Sequence, residues 1–162
     1  MSSKTVKTNA MRILDRLKIK YETMTYTVDE SDLSGEHAAA LLGINPDNMF
    51  KTLLLKGNKT GYIVACIPVM KTLDLKALSK ASGNKSAEMV HVKELFGITG
   101  YVRGGCSPIG MKKLFPTYID ESAFLFDKII FSAGQRGVQI IAEPSCLVTA
   151  VKAVPCKITS EN

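Results

Sequence analysis

The sequence predicts an α+β fold in a single domain, a mixed and partly closed, barrel-like β-sheet surrounded by helices. Apolar runs of strand length, at 50–55 and 62–67, interleave with stretches of helical periodicity but show no regular βαβ rhythm. A chain of 162 residues with 46% hydrophobic and 22% charged residues suits one domain with a sizeable core. No repeat, low-complexity segment or linker divides it. The domain is therefore read as 1–162, with residues 1–3 and 156–162 expected to fray.

The elements follow in order. Val6, Ala10, Ile13, Leu14 and Leu17 predict a helix within 4–18, with basic residues on its other face. Residues 21–26 alternate and predict a strand, followed by the acidic loop Asp29, Glu30 and Asp32. Ser34 is placed to cap a helix running to Leu42, with Gly43 as its stop. A turn at 44–47 leads into a hairpin, whose strands at 50–55 and 62–67 flank a turn of Gly, Asn and Thr. Asp74 is read as the cap of a helix over 75–81, closed by Gly83. A short strand at 87–90 precedes a helix over 91–96, ended by Gly97. After a glycine-rich loop come strands at 117–120 and 128–132, joined by a helical turn, then a turn at 134–137 and a strand at 138–142. Pro144 opens a last helix, to about Ala153.

Composition limits the chemistry. The chain has four cysteines, at 66, 106, 146 and 156, none in a CxxC pair, and two histidines, His37 and His91. That is poor material for a metal site or a hydrolytic triad, so neither a metal nor a cofactor is expected. No apolar run nears the roughly 18 residues of a membrane span. The polar stretch 1–7 does not read as a signal peptide. A cytoplasmic location, free thiols and no membrane partner are the expectations. The formal net charge of +6 favours an anionic partner, nucleic acid being the commonest.

Two stretches stand out. Lys51 heads a strand face that otherwise carries Leu53 and Leu55. It either snorkels to water at the strand end or serves as a cationic hook beside a pocket. The run Gly104-Gly105-Cys106-Ser107-Pro108-Ile109-Gly110 is either a tight connection or a concave set of backbone N–H donors for a carboxyl or phosphate oxygen. It lacks the lysine and hydroxyl of a Walker loop. Cys106 within it is read either as a packed thiol or as a nucleophile.

These stretches, taken with Gly100-Tyr101-Val102-Arg103 just before the loop and Ser132-Ala133-Gly134-Gln135-Arg136-Gly137 after it, resemble the YbaK/EbsC family of aminoacyl-tRNA deacylases. That family is related to the editing domain inserted in bacterial prolyl-tRNA synthetases. The resemblance runs over nearly the whole chain. It implies a trans-editing enzyme that clears cysteine from tRNA(Pro), with Cys-tRNA(Cys) as a further substrate. Prolyl-tRNA synthetase is an implied partner. The mechanism proposed for the family needs no protein nucleophile, because the substrate thiol attacks its own ester. By this resemblance Lys51, Gly104, Gly105 and Ser107 are the catalytic positions. Tyr26, Thr52, Cys106, Pro108, Gly110, Ser132 and Gly134 border the aminoacyl group. Four residues depart from the family pattern: Cys106 where an aliphatic is usual, Ala133 for glycine, Gln135 for lysine and Ser34 for an aromatic. They bear on pocket size and amino-acid choice. The alternatives are an Ala-tRNA(Pro) deacylase of the related subfamily, or a tRNA- or synthetase-binding module without turnover.

Overall fold

The computed structural model describes residues 7–160. The positions expected to fray at 1–3, and Val6 of the first helix, lie outside the described residues. Helix α1 (Asn9–Arg16) starts where the Thr8 hydroxyl accepts from Met11 N, and it buries Ala10, Met11 and Leu14. It is shorter than the periodicity predicted, and Leu17 is left exposed beyond its end. Strand β1 is Glu22–Thr25, and α2 (Gly35–Leu42) is capped by Ser34 and stopped by Gly43. The hairpin is β2 (Phe50–Gly57) against β3 (Gly61–Pro68), with Lys51 opposite Ile67 and Thr52 opposite Cys66. Next come α3 (Leu75–Ser82), capped by Asp74, and β4 (Ala87–Met89). Helix α4 (Val92–Thr99) ends at Gly100 rather than Gly97. Gly97 is absorbed because three further residues, ending in the buried Thr99, keep helical bonds, and the Thr99 hydroxyl donates to Leu95 O.

The second half holds β5 (Thr117–Asp120), β6 (Ile129–Gln135), β7 (Val138–Ala142), α5 (Ser145–Val151) and β8 (Val154–Cys156). Two expectations are corrected here. Strand β6 runs three residues past Ser132, so only Arg136 and Gly137 are left to turn. Residues 156–160 do not fray. Strand β8 pairs in parallel with β5, Ile158 is fully buried, and Asp120 accepts from Ile158 N and the Thr159 hydroxyl.

The strands form two sheets, β4-β2-β3-β5-β8 and β1-β7-β6, rather than one closed barrel. A single parallel bridge, Met49 to Ile130, joins them. The main core lies between the sheets, where Phe50, Leu54, Val64 and Cys66 meet Phe131, Val138 and Ile140, with α1 and α5 closing the sides. A second core, around Leu55, Ile63 and Ile67, packs the outer face of the larger sheet on Leu78 of α3. A third sets Ala38 and Ala39 of α2 over Met49, Val69 and Ile130, at the join of the sheets.

Candidate active site

Strands β2 and β6 part after the Met49–Ile130 bridge, and the cavity occupies the gap. It offers about 70 Å³. Ser132 and Gln139 come from the smaller sheet, and Tyr26 from just past β1; from β2 come Phe50, Lys51 and Thr52; from the loop, Gly104 and Cys106. Helix α2 covers it with Gly35 and Ala38. A larger cleft of about 750 Å³, at Lys7, Tyr21 and Lys128, shares no residue with it.

Alternation explains which groups face inward. In β6, Ile129, Phe131 and Ala133 point to the main core, so Ser132 points the other way. In β7, Val138, Ile140 and Ala142 do the same, so Gln139 shares the face of Ser132 and is its cross-strand partner. A bulge between Ser132 and Gln135 interrupts the β6–β7 register just past Ser132. The Ser132 hydroxyl accepts from Gly134 N at 3.1 Å, which leaves its own proton free to donate. Gly134 has φ 99°, and a Cβ there would lie 2.8 Å from the Tyr101 ring.

Backbone donors also open into the gap. Val90 N donates to Leu54 O, and Val64 N donates to Pro116 O, so the Leu54 and Val64 main chains face away from one another. Thr52 has the same parity as Leu54, which turns its N–H and C=O away from β3. Strand β4 is registered only with residues 55–57, so no strand covers Thr52 on that side.

Lys51 is half-buried, and burial lowers its pKa from the ordinary 10.5. It makes no ion pair or hydrogen bond with any of the described residues. A cation held this way at a cavity wall costs stability unless an anionic or carbonyl oxygen comes to it. Gln139 presents the complementary anomaly. It is 3% exposed, and its Oε1 is buried with no hydrogen-bond partner among the described residues. Sequence reasoning missed Gln139. Its only signal is a polar residue inside the apolar run 138–142, and two-residue periodicity reads that as a solvent-facing position.

The glycine loop does two jobs. Gly104 (φ 84°) and Cys106 reach the cavity. Gly105, Ser107, Pro108, Gly110 and Gly134 do not line it. Gly105 N–H is spent on Val102 O, and a Cβ on Gly105 would sit 2.9 Å from Arg136 N. Ser107 is fully buried and its hydroxyl accepts from Ile109 N. The Tyr101 hydroxyl donates to Ile109 O at 2.6 Å, Asn9 Nδ2 donates to Gly110 O, and Arg136 Nε donates to Arg103 O. Pro108 and Gly110 border a separate hollow against α1 and α5. The loop is thus a scaffold of which only one corner touches the cavity.

Of the four departures from the family pattern, Cys106 alone lines the cavity. Ala133 is buried in the main core, Gln135 is exposed, and Ser34 caps α2. Burial pushes the Cys106 thiol up to about 12, so it stays protonated near neutral pH and is a poor nucleophile. Cys106→Ala is expected to keep activity within about five-fold of wild type. A loss of several orders of magnitude with an unchanged melting curve would make it a covalent participant. Neither histidine lines the cavity. His37 lies 3.5 Å from Asp29 and 3.8 Å from Asp32, and His91 is exposed at the start of α4. No group of three metal-holding side chains occurs among the described residues.

The family profile for the aminoacyl-tRNA editing domain matches residues 30–149, most of the chain and every residue named as lining the cavity except Tyr26. The chain belongs to the aminoacyl-tRNA editing domain family. A relative from Enterococcus faecalis, named as the Cys-tRNA(Pro)/Cys-tRNA(Cys) deacylase EbsC, is 50% identical over 156 residues, 96% of this chain and 95% of its own. Two solved structures share the fold. One, described as a trans-editing enzyme for prolyl-tRNA synthetase, has a TM-score of 0.78 at 20% identity over 96% of this chain and 99% of its own. The other, titled only as a hypothetical protein, has a TM-score of 0.85 at 21% identity over 94% of this chain and 100% of its own. In this member of the editing family the two sheets are joined at the Met49–Ile130 bridge, with the cavity at the join.

Proposed function

We propose that this editing-family chain is a trans-acting aminoacyl-tRNA deacylase that releases cysteine from Cys-tRNA(Pro), and also from Cys-tRNA(Cys). The observation that carries the reading is the pairing, around one cavity of about 70 Å³, of a half-buried cation at Lys51 with an acceptor at Gln139, neither partnered among the described residues. A small aminoacyl ester satisfies both. Its α-ammonium donates to Gln139 Oε1, and Lys51 meets an oxygen of the ester or of the RNA end. The 50% identical relative named as a deacylase of these substrates supports the choice of cysteine. Cytoplasm, where charged tRNA is used, is the place of action, and transient contact with prolyl-tRNA synthetase fits a factor acting on its product. Among the described residues no helix is long and apolar enough to cross a membrane.

The chemistry proceeds without a protein nucleophile. The substrate's sulfur attacks its own carbonyl carbon, forming a C–S bond and breaking the C–O bond to the ribose. The thiol proton ends on the ribose hydroxyl, and the products are the cysteine thiolactone and free tRNA. The protein supplies orientation and donors: Lys51, the Ser132 hydroxyl and the Thr52 N–H surround the reacting ester. Cys66, Cys106 and Cys146, their thiols all pushed up to about 12 by burial, do not compete as nucleophiles.

Release of labelled cysteine from Cys-tRNA(Pro) is compared with release of alanine from Ala-tRNA(Pro). Cysteine is expected to leave faster, and blocking its thiol by alkylation should stop the reaction. Faster alanine release would move the chain to the alanine-clearing subfamily. Release of neither would leave a binding module. Gln139→Leu removes the orphaned acceptor while keeping the volume. It is expected to raise KM with little change in melting temperature, since the lost acceptor was unsatisfied without substrate. An unchanged KM would take Gln139 out of the site.

A further inference from the structure

A groove of about 170 Å³ adjoins the cavity. Leu54, Met89, Val92 and Leu95 make its apolar walls, Arg103 stands beside them, and Thr52 lines both groove and cavity. Met89 is 50% and Val92 58% exposed, so two large apolar side chains stand uncovered next to a reactive site. The Arg103 carbonyl is held by Arg136 Nε. Its exposed guanidinium makes no ion pair among the described residues; the Asp32 pKa is lowered chiefly by hydrogen bonds from Ser34, with Arg103 a minor contributor.

We infer that this groove holds the terminal nucleoside of the acylated RNA, with its base on the Met89–Val92–Leu95 wall and its phosphate toward Arg103. The inference rests on the deacylase reading and extends it to the carrier. The scissile oxygen belongs to a ribose. With the aminoacyl group in the cavity, that ribose lies at the mouth, and its base falls within one nucleoside of Thr52. An apolar wall accepts the flat face of any base. A groove this small fits one base, whereas a stable protein interface needs about 800 Å² on each partner. The net charge of +6 and the exposed Arg103 guanidinium favour a polyanion.

The test uses a full-length, uncharged tRNA(Pro) whose last base is 2-aminopurine, titrated with the whole protein. Wild type is expected to bind it and change the 2-aminopurine emission as the base leaves its stack. Val92→Asp, on an exposed position, should weaken binding about ten-fold or more and remove the emission change, with the melting curve unchanged. Met89→Ala is a second, milder variant that should lower the emission change without adding charge. Arg103→Ala should weaken binding and reduce its salt dependence while sparing the emission of the bound state. Absence of binding by the wild type, binding without an emission change, or an equal change in wild type and Val92→Asp would overturn the inference. Loss of synthetase binding in Val92→Asp with RNA binding intact would assign the groove to a protein and overturn it as well. A separate deacylation assay keeps the two readings apart. Emission change without turnover sinks the enzyme and leaves the groove; turnover undiminished in Val92→Asp sinks the groove and leaves the enzyme.

Discussion

Lys51→Met is expected to cut deacylation of Cys-tRNA(Pro) about ten- to a hundred-fold at subsaturating substrate while leaving the fold intact. A charge-assisted hydrogen bond contributes roughly 1.5–3 kcal/mol, which sets that range, and misplacement of the ester would add to it. Methionine keeps the unbranched stem on β2, so the loss reports the charge. Lys51→Arg should be impaired as well, because a planar guanidinium does not fit where a compact ammonium does in a cavity of about 70 Å³. Stability should move the opposite way from activity. Near neutral pH the wild type carries a half-buried cation with no partner among the described residues, and Met removes that cost. The variant should therefore melt at the same temperature or a few degrees higher. The pH dependence has a definite sign. The folded pKa lies below the ordinary 10.5, so the unfolded chain binds more protons between the two values and wild-type stability rises with pH there. Activity should fall over the same alkaline window as the ammonium is lost. Full activity in Lys51→Met, measured on folded protein, would remove Lys51 from the site.

Gly105→Ala is expected to damage the site from outside it. The added methyl would lie 2.9 Å from Arg136 N and 3.2 Å from Gln135 C, both main-chain atoms that cannot rotate away. Either the glycine loop or the β6–β7 turn must move. Overpacking of this kind costs about 1–3 kcal/mol. The loop also carries Gly104 and Cys106 on the cavity wall, and a shift of about 1 Å in a positioning element can cost 10²-fold in rate. The outcome should be a lower melting temperature together with a fall in kcat/KM of about ten-fold or more, both read on purified protein. Gly97→Ala is the control. Nothing lies within 4 Å of its added methyl, and as an exposed residue inside α4 it should gain about 0.5–1 kcal/mol with activity unchanged. A Gly105→Ala protein as stable and active as wild type would show that the turn yields freely, and the loop would lose its role as a scaffold.

The sequence by itself determined the elements whose signals are local. Ser34 and Asp74 cap their helices because a short oxygen side chain can reach a free N–H within one turn. The β2–β3 hairpin is legible because two apolar runs flank a turn of small polar residues. Family membership was legible for a related reason, since the glycine loop and the 132–137 run each need particular residues at consecutive positions. Strand β8 was not legible. Three residues around Pro155 carry no period, and they become a strand only because β5 offers a parallel edge and Asp120 holds the chain beyond. The tertiary structure alone divided the predicted site residues into Lys51, Thr52, Tyr26, Gly104, Cys106 and Ser132 at the cavity, and Gly105, Ser107, Pro108, Gly110 and Gly134 behind it. It also added Gln139, which periodicity assigns to solvent and which the pairing with Ser132 turns into the gap under α2. Whether a polar side chain faces water or a cavity depends on what covers that face of the sheet. That cover comes from α2 and β2, roughly a hundred positions away in the chain, and no local pattern in 138–142 encodes it.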